Sequence, residues 1–191
     1  MKNQFLLSCL IFLYSLTTFA QTQDVSIINI DGYTDAQIEN IPKTVSKEGW
    51  VIISAQGKRY LRNYSNPDYI LLTSLVCDHP EGSPYFLIEF SQNYRDGSYD
   101  GVDFISSKTK DHDKVVFKID GQDFGDPFSK MNIQNLKAFS TILKQGKRLT
   151  VAVYDKEFNP ESATYQLVLN RSVDFKLGNA FLLDQKTFCP E

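Results

Sequence analysis

Tyr60, Arg62 and Tyr64 fall at alternate positions of Lys58-Arg59-Tyr60-Leu61-Arg62-Asn63-Tyr64, and alternate positions of a strand share one face. Rigid rings bury a large area at small entropic cost. A guanidinium between them directs hydrogen bonds to a carboxylate or a backbone oxygen. Tyr and Arg are also the types enriched at binding hot spots, so this face is the expected partner-binding surface. The same spacing would suit an ordinary sheet face, where Tyr is favoured and the Arg stem covers apolar surface.

Cys77 and Cys189 offer a different chemistry. Lys2, the apolar stretch Phe5 to Leu16 and the small-x-small end Thr18-Phe19-Ala20 read as a secretory signal for residues 1–20, cleaved before Gln21. Leu6-Leu7-Ser8-Cys9 has the outline of a lipoprotein signal, but the apolar stretch before Cys9 is too short and runs on past it. Cys9 leaves with the signal. Export to a periplasmic or extracellular space then makes the remaining pair a disulfide. A nucleophilic reading of Cys77-Asp78-His79 is weaker, because neighbours at a strand end point in alternating directions and catalytic partners usually meet through the fold.

Other candidate chemistries have bland alternatives. His79 and His112 lie in charged or Pro-containing loops without zinc-site spacing and read as solvated. Asp96-Gly97-Ser98-Tyr99-Asp100-Gly101-Val102-Asp103 begins like an EF-hand calcium loop, but Ser107 stands where a bidentate Glu belongs. Such a segment also makes ordinary turns. Asp120, Asp123, Asp126, Asp155, Glu157 and Glu161 are spread over turns and read as a solvated surface. Asn63-Tyr64-Ser65 and Asn170-Arg171-Ser172 are glycosylation sequons only if the host glycosylates exported proteins. No G-x-S-x-G, Walker or dinucleotide-binding pattern is present. The expectation is no enzyme, no metal and no cofactor.

The elements that must position these residues are mostly strands. Tyrosines and phenylalanines number 10 and 14 against one tryptophan, a bias toward sheet. The net charge of −3 gives no electrostatic footprint for nucleic acid or an anionic membrane, and no second apolar run could span a bilayer. Val25–Ile30, Trp50–Ile53, Lys58–Tyr64, Tyr69–Cys77, Tyr85–Phe90 and Lys114–Ile119 read as strands between turn residues. Thr34-Asp35-Ala36-Gln37 opens a short helix with a capping box, which Pro42 should end. Ile133, Leu136, Phe139, Ile142 and Leu143 recur at helical spacing and stop at Gly146, so the main helix is expected over about 132–145. Leu149, Val151 and Val153 alternate as a half-buried strand. Tyr165, Leu167, Leu169, Val173, Phe175 and Leu177 share one parity, broken only by Arg171. That pattern predicts one long strand bent near Asn170. A short helical turn follows within Leu177–Gln185. The whole predicts one mainly β domain over 21–191, an antiparallel β-sandwich or open barrel with one main α-helix and a disulfide-anchored C-terminus.

Residues 77–191 resemble small exported bacterial proteins, the type VI secretion-associated periplasmic proteins. The shared features begin with a Cys ending an early strand, the strand Val115-Val116-Phe117-Lys118-Ile119-Asp120-Gly121 and the helix Phe139-Ser140-Thr141-Ile142-Leu143-Lys144. Leu149 to Tyr154, Val173 to Leu177 and a terminal Cys follow in the same order. The resemblance implies an accessory or binding protein outside the cytoplasm and carries over no catalytic residue. The expected function is noncatalytic binding of another protein outside the cytoplasm, as an accessory, inhibitor or immunity factor. A small-molecule or lipid carrier using a β cavity is the alternative, and a hydrolase with an unrecognised site comes third.

Overall fold

A computed structural model describes residues 26–90, 105–107, 112–129 and 133–190. The expected signal, with Cys9, and the Asp96–Asp103 loop lie outside these residues. The chain is mainly β. Its elements are β1 (Ile27–Asn29), α1 (Asp35–Thr44), β2 (Trp50–Ala55), β3 (Lys58–Asn63), β4 (Tyr69–Ser74), β5 (Tyr85–Phe90) and β6 (Ile105–Ser106). Then come β7 (Lys114–Ile119), β8 (Gln122–Asp123), α2 (Ile133–Leu143), β9 (Arg148–Asn159), β10 (Thr164–Lys176) and a 3-10 helix, Ala180–Asp184. One sheet has the order β1-β2-β3-β4-β5-β6 and the other β10-β9-β7-β8. Every neighbouring pair is antiparallel except β1 and β2, which run parallel.

The sheets face each other as a sandwich. Alternation on each strand sends Trp50, Ile52, Leu61, Leu71, Phe86 and Ile88 inward against Phe117, Leu149, Val151, Val173 and Phe175. Removal of this apolar surface from water is the main favourable term for the fold. Helix α2 adds Phe139 and Leu143 to the same core, and the Phe117 ring meets Phe86 and Phe139 edge-on with centroids 4.8 and 5.6 Å apart. The opposite face of the first sheet has its own cluster. There Val51, Ile53, Tyr64, Ile70 and Leu72 are covered by Ile41 and Val45, the inner side of α1 and its end. Among the described residues no helix is long and apolar enough to cross a membrane.

Helix α1 opens with the expected capping box, Thr34 and Gln37 satisfying each other's backbone N–H. It does not end at Pro42, which sits within its last turn. Pro42 removes only one N–H, and beyond it Val45 N–H and the Thr44 hydroxyl both donate to Ile41 C=O, so the turn completes. Two short strands, β6 and β8, escape the sequence pattern. Asp120-Gly121 does not simply stop β7. Both residues have positive φ, 49° and 90°, the geometry of a two-residue hairpin that returns as β8. β4 ends at Ser74 rather than running to Cys77, because Cys77 bridges to Thr187 of the C-terminal tail.

The Cys77–Cys189 disulfide is formed, with a Cα separation of 5.3 Å. The bend expected near Asn170 is a β-bulge: Leu169 pairs with Tyr154 but Arg171 with Val153. Asn170 is the extra residue, and it moves Arg171 to the core-facing side. Arg171 there donates to the Tyr69 hydroxyl at 2.7 Å and lies over the Tyr69 ring, which explains how a cation breaks an otherwise apolar parity.

Candidate functional site

β3 turns Leu61 and Asn63 inward, where both are buried, and Tyr60 and Arg62 outward. Tyr64, just past the strand end, lies on the outer side with them. Helix α1 covers only part of this outer face. The uncovered part is a pocket of about 280 Å³. Ile30, Ile38, Ile41 and Pro42 form one wall, and Ile53, Ala55 and Ile70 contribute sheet surface. Tyr60, Arg62, Tyr64, Glu89 and Phe90 complete the lining. The three residues expected to share a face therefore do share one, but as the lining of a pocket. Tyr64 is only 2% exposed and belongs to the apolar cluster, whereas Tyr60 and Arg62 are half-buried.

Arg62 is the electrostatic centre of the pocket. Its Nη1 donates to the Tyr64 hydroxyl at 3.2 Å, and its Nε is buried with no acceptor among the described residues. Burial is the largest influence on its proton affinity and acts downward. Tyr64, Glu89 and Tyr85 together outweigh it, so the guanidinium holds its proton more firmly than usual. Burial raises the Tyr85 hydroxyl pKa above the usual phenol value, Tyr60 and Glu89 add to this, and Arg62 opposes it. An unsatisfied buried donor is costly, of order 1–3 kcal/mol.

The wall at Tyr60 is supported from behind by the C-terminal tail. The Phe188 ring stands 5.7 Å from Tyr60, and Lys58 Nζ lies 4.2 Å above Phe188. Phe188 N–H donates to Arg59 C=O at 2.8 Å, and Thr187 N–H to Val76 C=O at 2.9 Å. The disulfide next to Phe188 closes this tail onto β3 and β4, so the covalent link and the pocket share one wall.

The remaining sequence candidates are placed elsewhere. Both thiols are consumed in the disulfide, so Cys77 and His79 form no nucleophile–base pair. Neither histidine is simply solvated. His79 is half-buried with Nε2 2.8 Å from the Cys189 carbonyl, and His112 Nδ1 lies 2.9 Å from Asp155 Oδ1. Among the described residues no group of three or more His, Cys, Asp or Glu side chains could hold a metal ion. The Asn63 sequon is closed to a glycan, because its amide is fully buried and donates to Lys176 C=O at 2.7 Å. Asn170 is exposed.

The residues that sequence reasoning missed are Glu89, Phe90 and the isoleucine wall. A signal was present for Glu89: it is the one charge in Tyr85-Phe86-Leu87-Ile88-Glu89-Phe90 and shares parity with Tyr85. The pocket brings a guanidinium, two hydroxyls and a carboxylate to an apolar recess, and its lining has no Ser, Thr, Cys or His. It can hold an apolar group beside a carboxylate or amide; its lining has no nucleophile and base in contact. No protein-family model, no curated protein and no solved structure matches the chain.

Proposed function

We propose that this chain is an exported, noncatalytic binding protein whose partner is another protein, docked at the α1 pocket. The observation that carries the reading is Arg62, a half-buried cation that lines a pocket with apolar walls and is held there by the Tyr64 hydroxyl. About 280 Å³ lies at or below the lower limit of small-molecule sites. It suits one inserted side chain or main-chain turn bearing a carboxylate or carbonyl oxygen. Tyr60 and Arg62 are the contact residues, and Tyr64 positions Arg62 from within the core. The disulfide agrees with an oxidising compartment. The resemblance to periplasmic accessory proteins points to the same class.

The test is crosslinking of the exported protein in its own periplasmic or extracellular fraction, followed by affinity measurement on the captured partner. Tyr60→Ala and the pocket-filling Ala55→Trp should each weaken binding by about 1–3 kcal/mol, with little change in melting temperature. Full affinity in both variants sinks the reading. Native mass spectrometry separates the carrier alternative, which expects a small carboxylate in the pocket and no protein partner.

A further inference from the structure

Beyond β7 the second sheet narrows to two strands. Lys114 is the β7 residue opposite Tyr154, and among the described residues the neighbour of β9 from Asp155 to Asn159 is β10 alone. Among the described residues β10 is the last strand of its sheet, and its far end is bonded by Asn66 to Asp174 C=O and by Asn63 and Ser65 to Lys176. A two-stranded ribbon is marginal in water, and an edge strand offers unpaired N–H and C=O groups to another strand. Edges are usually protected by charge or proline, but Thr164-Tyr165-Gln166-Leu167-Val168-Leu169 has neither.

The bulge at Asn170 decides where this segment points. Because Leu169 faces Tyr154 and Arg171 faces Val153, Tyr165, Leu167 and Leu169 lie on the side opposite the core-facing Val173 and Phe175. They are 71%, 46% and 51% exposed. Phe158, 55% exposed, pairs with Tyr165 across the ribbon with ring centroids 5.4 Å apart. The result is an apolar stripe on an unpaired edge.

We propose that this edge pairs with a second copy of the chain, β10 antiparallel to β10 about a two-fold axis through Leu167. Opposed residues in an antiparallel pair share a face, so only registers matching odd positions with odd positions keep the stripe continuous. Centring on Leu167 sets it against its own counterpart and sets Tyr165 against Leu169 of the second copy, twice. Charge does not oppose this register, since the stretch that pairs, Tyr165–Leu169, carries none and no like charges face across the axis. A contact of about five residues per strand is below the size of permanent interfaces, so the dimer is weak.

Sedimentation equilibrium of the exported chain from about 1 µM to 1 mM should show a reversible monomer–dimer equilibrium. Leu167→Lys places two ammonium groups at the axis and should raise Kd at least about tenfold without lowering the melting temperature. Ile27→Lys, an exposed apolar position on β1, should leave Kd unchanged. Under oxidation Leu167→Cys should give a covalent dimer, whereas Gln166→Cys, opposite Val168 of the second copy, should not. This pair still reads the register if Leu167→Lys fails to fold. A monomer throughout the range, or equal crosslinking of the two Cys variants, overturns the proposal.

Discussion

The guanidinium of Arg62 is held by a hydroxyl two residues along its own chain, with Nη1 3.2 Å from the Tyr64 oxygen. Because the tether is local, it needs no partner strand and keeps the cation aligned with the pocket while other donors stay available. The ring that supplies it is 2% exposed, packed with Val51, Ile53, Ile70 and Leu72. Three residues of one parity thus divide into two that can touch a ligand and one that works from the core.

That division predicts opposite behaviour for two alanine variants. Tyr64→Ala removes a core ring and should cost about 3–5 kcal/mol, while Tyr64→Phe should cost about 1–2 kcal/mol for the lost hydroxyl. Tyr60→Ala should cost under about 1 kcal/mol, as expected of a half-buried side chain. Urea unfolding measures all three. Equal losses for the two alanine variants would place both rings in one environment and refute the division.

The disulfide closes a loop with a sequence separation of 112. The chain-entropy relation sets its contribution at about 4–5 kcal/mol at most, less whatever native strain removes. The double variant Cys77→Ser, Cys189→Ser leaves no unpaired thiol and should lose about 2–5 kcal/mol. Since Phe188 supports Tyr60, the same variant should weaken partner binding modestly. Unchanged stability under reduction would mean that the tail is held by its backbone bonds alone.

Two aspartates should give stability opposite pH dependences. Hydrogen bonds from His112 and then Asn170 hold the Asp155 carboxyl below the usual carboxylate pKa. The unfolded chain therefore takes up this proton first, near pH 4, and the stability Asp155 adds at neutral pH is lost as pH falls through its lower folded value. Burial holds Asp126 above the usual value despite amide bonds from Phe128 and Ser129. Its contribution is complete below the ordinary value and disappears as pH rises through the raised one. Asp155→Asn should flatten the acid limb of a stability–pH curve, and Asp126→Asn should steepen it. Shifts of the same sign in both variants would contradict these environments.

Much of the sandwich was legible because period-two alternation survives wherever one face is buried, as at Leu149, Val151 and Val153. The bend at Asn170 was legible from Arg171, the one polar break in its parity. The pocket was only half legible. β3 places Tyr60 and Arg62 on one face, but strand parity does not reveal whether a helix will cover that face. Pro42 argued for an earlier end to the helix that does, since a proline's cost depends on which turn it occupies. Glu89 joins Arg62 in the pocket lining from β5, with β4 between it and β3, and sheet order is set by long-range pairing rather than by local pattern. Asp120-Gly121 needed backbone angles to tell a stop from a hairpin.

The closest backbone approach that glycine permits joins the two halves of the sandwich at Gly49 and Gly178, which bridge in parallel. Trp50 N–H donates to Gly178 C=O at 3.0 Å, and Gly178 N–H to Glu48 C=O at 2.8 Å. This strut ties the start of β2 to the end of β10, beside Leu177 and Leu182 of the core. A Cβ on Gly49 would stand 1.9 Å from the Gly178 oxygen, and one on Gly178 would stand 2.4 Å from the Glu48 oxygen. Both collisions are with backbone, so no rotamer change can relieve them. Gly49→Ala should therefore cost more than about 3 kcal/mol and raise hydrogen exchange at the Trp50 and Gly178 amides together. Gly57→Ala is the control: its φ of 75° is strained for alanine, but its Cβ would meet nothing, so about 1–2 kcal/mol is expected. If Gly49→Ala costs no more than Gly57→Ala, the sheets are not joined at this strut.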